Sequence, residues 1–205
     1  MPEATATRVL LRDGSAVAIR QIEPEDKPLL KEQFERMSDE SRRRRYLTPA
    51  TELTPEDLVY LTEVDHRRHE AVVALDDAGH CVGVARYVRV PGEREVAELA
   101  AEVVDDWQGR GVATALLADL SERAQANGIG QFRAYVSSEN TVVLDALGRA
   151  GADRTGREAD ELEFIVDVPR EGLGDRLGGA LRAAAAGQLR LAARMARRLG
   201  LLRGS

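Results

Sequence analysis

One cysteine, Cys81, is present in 205 residues, so no internal disulfide can staple the chain. A lone thiol in an apolar stretch reads as a small buried hydrophobe and fits a reducing cytoplasm. No run approaches 18 uncharged apolar residues, which excludes a membrane-crossing helix of ordinary length. The opening MPEATATRVLLRDG lacks a basic segment followed by an apolar one, so no export signal is expected. Metal-ligand groupings are equally scarce. Asp65-His66-Arg67-Arg68-His69-Glu70 sets two histidines at i, i+3 beside carboxylates. That stretch lies between a helix end and a strand with no second ligand group nearby, so the expectation is a structural or surface role and no metal.

What is present describes an ordinary globular chain, 43% hydrophobic and 31% charged, long enough for one sizeable core or one domain plus an appendage. The charge is divided unevenly. Between Arg170 and Ser205, eight arginines against Glu171 and Asp175 leave +6, so the rest must carry −12 for the whole to reach −6. We therefore read two regions, a domain over 1–169 and a basic tail over 170–205. An acidic body disfavours non-specific nucleic-acid binding. In the tail, Leu173, Leu177, Leu181, Ala184, Gln188, Leu191, Met195 and Leu199 recur at steps of three and four, the pattern of an amphipathic helix. It could pack on its own domain or in a homodimer, make peripheral contact with an anionic membrane, or hang free.

Local signals order the domain. Residues 8 to 22 read as a hairpin turning at Asp13-Gly14. Glu23-Pro24-Glu25-Asp26 and Thr54-Pro55-Glu56-Asp57 each put proline at a helix start with acids in the first turn. Between those helices, Arg42 to Arg45 reads as a solvated face or a contact for phosphate or acidic protein. Strands follow at Ala71–Leu75 and Cys81–Val90, and later at Phe132–Val136 and Glu161–Val168, with a helix from Asn140 stopped by Gly151.

The central stretch is Glu95 to Leu120. Its apolar run ends at Asp105-Asp106, and the turn Gln108-Gly109-Arg110-Gly111 opens a helical pattern through Val112, Ala113, Leu116, Leu117 and Leu120. A helix start exposes up to four unpaired amides and about half a positive charge, and glycines there let an anion approach. The dinucleotide fingerprint fits poorly, because Thr114 stands where its third small residue belongs. The pattern [Q/R]-x-x-G-x-[G/A] fits at Gln108, Gly111 and Ala113.

On these residues the sequence resembles the GNAT family of acetyl-CoA-dependent N-acyltransferases. A second resemblance is more distinctive. Leu11-Arg12-Asp13-Gly14, Ile19-Arg20-Gln21-Ile22-Glu23-Pro24-Glu25-Asp26, Leu29-Leu30, Phe34 to Arg42 and Arg45-Tyr46-Leu47 are similar, in order and spacing, to Pat-type bacterial protein-lysine acetyltransferases. The resemblance spans roughly residues 8 to 168 and implies an α/β (α+β) GNAT fold. The expected sheet is central, mixed and mostly antiparallel, of six to seven strands with about four helices, in the order β hairpin, αα, βββ, α, β, α, ββ.

It also implies a site. The loop from Gln108 through Gly109, Arg110, Gly111, Val112 and Ala113 to Thr114 would cradle the pyrophosphate of acetyl-CoA. Backbone around Val103 and Val104 would meet the pantetheine arm where two strands splay, and Asn140, paired with Gly151, would contact it. Glu98 stands at the position resembling the Pat-type catalytic glutamate. Glu102, two steps along the same strand face, is a second candidate, at a place where the family prefers an apolar residue. The family's tyrosine acid falls at Leu147. The function implied is acetyl transfer to an amine, foremost a protein lysine. Alternatives are a small-molecule amine acetyltransferase and an acetyl-CoA-binding recruitment module with little turnover.

Overall fold

The computed structural model describes residues 6–38, 52–138, 144, 147, 152–158 and 161–168. The first hairpin is β1 (Thr7–Leu10) and β2 (Ala16–Gln21), turning at Gly14 with φ 84°, where the Asp13 carboxylate accepts the Ser15 amide at 3.0 Å. A 3-10 turn, Pro24–Asp26, leads into α1 (Lys27–Arg36). Its reciprocal cap joins Glu23 and Asp26, and Asp26 also takes both nitrogens of Arg20 at 2.6 and 2.7 Å. Helix α2 (Pro55–Thr62) repeats the device, with Thr54 and Asp57 capping each other at 3.2 and 3.0 Å. Both helix starts are therefore local chemistry.

Three antiparallel strands follow, β3 (His69–Leu75), β4 (Cys81–Arg89) and β5 (Val96–Val103), then α3 (Val112–Ala126), β6 (Gln131–Ser137), β7 (Asp153–Glu158) and β8 (Glu161–Asp167). They form one sheet in the order β1-β2-β3-β4-β5-β6-β8-β7, antiparallel everywhere except between β5 and β6. The sheet thus has eight strands where six to seven were expected. The order ending in ββ already allowed for it: the edge strand is β7, whose sequence DRTGRE has no apolar alternation and which pairs with β8. Charged residues on an edge strand blunt it against further pairing. The strip 140–151, expected to carry a fourth helix, lies outside the described residues except for Leu144 and Leu147, both helical. The arginine run and the tail over 170–205 also lie outside them.

Strand alternation divides the core. Helix α3 lays Leu116, Leu117 and Leu120 against one face of the sheet, on Val72, Ala85, Leu99 and Ala101 among others. Helices α1 and α2 cover the opposite face through Leu30, Phe34 and Leu61 on Ile22, Ala71, Val73 and Val84. Gly83 fixes the height of α3 over β4. A Cβ there would sit 3.0 Å from the Glu102 carbonyl and the Leu116 side chain and 3.2 Å from Val112. No described helix is long and apolar enough to cross a membrane.

Candidate active site

The parallel pair β5–β6 is short. Its partners are Val96 with Gln131, Ala97 with Phe132 and Glu98 with Arg133, and pairing stops there although β5 continues to Val103 and β6 to Ser137. A gap therefore opens in the sheet from Glu98 onward. On the other side β5 stays fully paired with β4, from Arg89–Ala97 to Gly83–Val103, and the Val104 amide donates to the Val82 carbonyl at 3.0 Å. Because successive residues of a strand direct their amides to opposite sides, those of Ala101 and Val103 point toward the gap, just past the Leu99 amide that closes the pairing with Arg133. Of the two residues expected to meet the pantetheine arm, Val104 thus gives its N–H to β4, while Val103 lies on the open edge.

The glycine turn lies at the end of that edge. Gly109 and Gly111 have φ of 75° and 106°, and Gly111 stands at the N-cap of α3 with no side chain capping the helix. A Cβ on Gly109 would meet nothing within 4 Å, and one on Gly111 only the Arg12 stem at 4.0 Å. Left-handed backbone, not crowding by protein, requires glycine here, and the space before the helix start is open.

The rest of the turn is anchored from behind. The Gln108 side chain donates to the Val103 carbonyl at 3.2 Å and to Asp105 at 2.9 Å, and its amide donates to the Asp105 carbonyl at 3.2 Å. Amides from Gly109 onward are thus the ones left facing the opening. Arg110 lies 4.8 Å over the Trp107 ring and 3.3 Å from Asp13, and its carbonyl accepts the Arg12 amide at 3.4 Å, so the first hairpin leans on the turn. Val112 and Ala113 are buried in the first turn of α3, and the Thr114 hydroxyl is buried with no hydrogen-bond partner among the described residues.

Glu98 and Glu102 are both 4% exposed and share the sheet face opposite α3. Neither points to bulk solvent. Glu98 is flanked by Val88 on β4 and Arg133 on β6, at the point where the gap begins. Glu102 lies four residues further, opposite Val84. Tyr135, buried on the parted length of β6, shares their face. Tyr60 of α2 also reaches this region: its phenol is pushed above the usual tyrosine range by burial, opposed by Arg86 and reinforced by Glu98.

The histidine-rich stretch is used structurally. Asp65 accepts the amides of Arg67, Arg68 and His69 at 2.9, 2.7 and 2.9 Å. His66, at φ 55°, lies 2.8 Å from the buried Glu70, which also takes the Gln21 side chain at 3.0 Å. Among the described residues no three His, Cys, Asp or Glu side chains are grouped to hold a metal. Leu147 is buried in the main core, and Asn140 lies outside the described residues. Sequence reading missed Gly83, Tyr60 and Arg86, because each looks like an ordinary strand or helix residue until its neighbours are known.

Comparisons with known proteins agree with this geometry. The model of the acetyltransferase (GNAT) family matches residues 29–151. An acetyltransferase of Pseudomonas aeruginosa, PA5475, is 33% identical over 147 residues, covering 69% of this chain and 78% of that protein. The acetyltransferase Pat of Mycolicibacterium smegmatis is 34% identical over 113 residues, 55% of this chain and 34% of Pat, so the similarity spans about a third of that relative. Among solved structures, the GNAT domain of S. lividans PAT superposes with a TM-score of 0.73 at 30% identity, over 79% of this chain and 96% of that domain. The fold is shared at 18% identity and TM-score 0.56 by yncA of Salmonella typhimurium, solved with its cofactor acetyl-CoA, over 76% of this chain and 95% of that one. Matched over more than half its length by the family model, and a third identical to a curated acetyltransferase, this chain belongs to the GNAT acetyltransferase family and is an acyltransferase.

Proposed function

We propose that the protein is an acetyl-CoA-dependent N-acetyltransferase that acetylates an amine, foremost a lysine of another protein, by direct attack in a ternary complex. The observation that carries this reading is the parting of β5 from β6 beyond Glu98, next to a helix start that no side chain caps. Amides from Gly109 to Thr114, with the positive end of α3, suit a diphosphate. The parted edge at Ala101 and Val103 suits an extended arm running into the sheet, with Asn140 as its expected polar contact. Acetyl-CoA, when bound, supplies an acyl group already activated as a thioester, so no nucleophilic side chain is required.

The chain's own residues do the rest. An ammonium of ordinary pKa, about 10.4, is neutral in fewer than about one molecule in a thousand at pH 7. Glu98, at the mouth of the gap, is the group to take that proton, directly or through a water. Glu102 is the second candidate. Amides of Ala101 and Val103 on the open edge can donate to the carbonyl as charge builds on it. The preference for a protein lysine rests on the likeness to PAT and Pat.

The test is calorimetry of the full chain with acetyl-CoA, followed by incubation of lysate proteins with labelled acetyl-CoA and mass spectrometry of the products. Saturable binding with label on lysine side chains is expected. No binding would sink the proposal, binding without transfer would leave a recruitment module, and label on small amines alone would replace the protein acceptor.

A further inference from the structure

Arg86 is a charged group at the centre of the fold that the proposed reaction does not use. It lies in the middle of β4 and is 1% exposed. Its register partner on β5 is Ala100, and on that strand face Ala100 is flanked by Glu98 on one side and Glu102 on the other. The arginine therefore stands between the two buried carboxylates, one diagonal step from each, a Cα spacing of roughly 7–8 Å that long side chains bridge. Burial of a guanidinium is unfavourable unless opposite charge comes with it.

Two polar contacts aim it. One nitrogen donates to the Leu61 carbonyl at 3.1 Å and lies 3.3 Å from His69 Nε2. The His69 ring lies 5.0 Å from that of Tyr60, and burial together with the charge of Arg86 lowers its pKa to about 3, so the imidazole is neutral and its Nε2 accepts.

Several charged and titratable groups among the described residues lie around Glu98. From β6 comes Arg133, already engaged by Glu93 at 2.8 Å and Glu163 at 3.6 Å, with Tyr135 beyond it. From α2 comes Tyr60, whose phenol is pushed up by burial, with Arg86 opposing and Glu98 adding to the rise. Neutral His69 stands on β3 as the register partner of Val88, which in turn pairs with Glu98, so a guanidinium drawn to His69 leans toward the Glu98 end of β4. Among these groups Arg86 is the fully buried cation one diagonal step from Glu98.

We infer that Arg86 is a positioning residue for acetyl transfer: a fixed internal cation, aimed by the Leu61 carbonyl and His69, that holds Glu98 ionised and oriented at the mouth of the gap. This rests on the reading of Glu98 as the base, and the device is invisible to any search for residues that touch substrate.

Arg86→Met tests it. The Glu98 carboxyl, followed by carbon NMR and assigned by its loss in Glu98→Gln, is expected to titrate at least about one pH unit higher in Arg86→Met, a tenfold change in its acid constant. Arg86→Lys, which keeps the charge, should return most of that shift. Calorimetric affinity for acetyl-CoA should stay within about threefold in all variants, since none touches the phosphate turn. Loss of binding by the unaltered chain would count against the proposed function and leave the titration readable. An unmoved Glu98 titration in folded Arg86→Met overturns the inference. Should Arg86→Met fail to fold, the double variant Arg86→Met/Glu98→Gln, with both charges gone, is expected to regain a cooperative thermal transition. A double variant as unstable as the single one overturns the inference equally.

Discussion

Glu98 and Arg133 are the last partners of the parallel pair, and immediately past them β5 and β6 part company. One residue pair therefore marks both the end of the sheet's continuity and the place of the candidate base. The coincidence has a physical basis. Up to Glu98 the main-chain groups of β5 are satisfied on both sides, and beyond it one side of the strand is left for a ligand to satisfy. A carboxylate at that boundary is desolvated by the sheet while still able to meet whatever enters the gap.

Replacing that carboxylate separates chemistry from binding. Glu98→Gln keeps the shape of the side chain and removes its capacity to take a proton. We expect the turnover rate to fall by about 10²–10⁴, the usual worth of a general base, with acetyl-CoA affinity unchanged. Glu102→Gln should cost less than about tenfold by the same reasoning. Steady-state rates with a lysine peptide beside calorimetric affinities decide it; reversed sizes for the two variants would transfer the role to Glu102.

The glycine turn makes a prediction of the opposite kind. Gly111→Val forces a β-branched residue to φ 106°, a conformation costing of order 1–3 kcal/mol, and sets methyl groups before the open amides. Affinity for coenzyme A should fall at least about tenfold, equivalent to about 1.4 kcal/mol. Binding by the folded variant at the original strength would exclude this turn as the phosphate site.

Much of this was legible in the sequence, for reasons that can be named. The Asp13-Gly14 turn and both proline-led helix starts form from residues within four positions of one another, so their chemistry is printed in adjacent letters. The Gln108–Ala113 turn was legible because glycine at φ > 0 beside a helical pattern has few alternatives. Arg86 was not. In CVGVARYVR it reads as the solvent side of a half-exposed strand, and only tertiary packing brings the Leu61 carbonyl and His69 to it from 25 and 17 residues away. Strand β7 was expected in the element order but not located in the residues, because an edge strand needs a partner's amides more than apolar side chains of its own.

Gly83 offers a test of how the site is held. Its missing Cβ would meet a backbone carbonyl at 3.0 Å, which cannot swing aside, as well as the Leu116 and Val112 side chains. Gly83→Ala should therefore cost about 1–3 kcal/mol by overpacking and tilt the first turn of α3 away from β4. Denaturant unfolding and coenzyme A titration should both register the change. A variant of unaltered stability would mean that α3 has slack at its N-terminus and that the turn is not fixed by this contact.

His69 predicts how stability depends on pH. Its folded-state pKa of about 3, set by burial and by Arg86, lies below the value near 6.5 expected in the unfolded chain. Above pH 6.5 neither state binds the proton and the group has no effect. As pH falls from 6.5 toward 3 the unfolded chain takes up a proton that the folded one refuses, so stability declines by up to about 1.4 kcal/mol per unit, and below 3 the loss is complete. His69→Gln retains an acceptor for Arg86 without a titrating ring, so the pH slope of its unfolding free energy should be shallower than that of the unaltered protein by up to one proton. Between pH 6 and 4.5 the two should diverge by about 2 kcal/mol in chemical denaturation. Parallel curves would mean that His69 is protonated in the fold and that its ring cannot accept from Arg86.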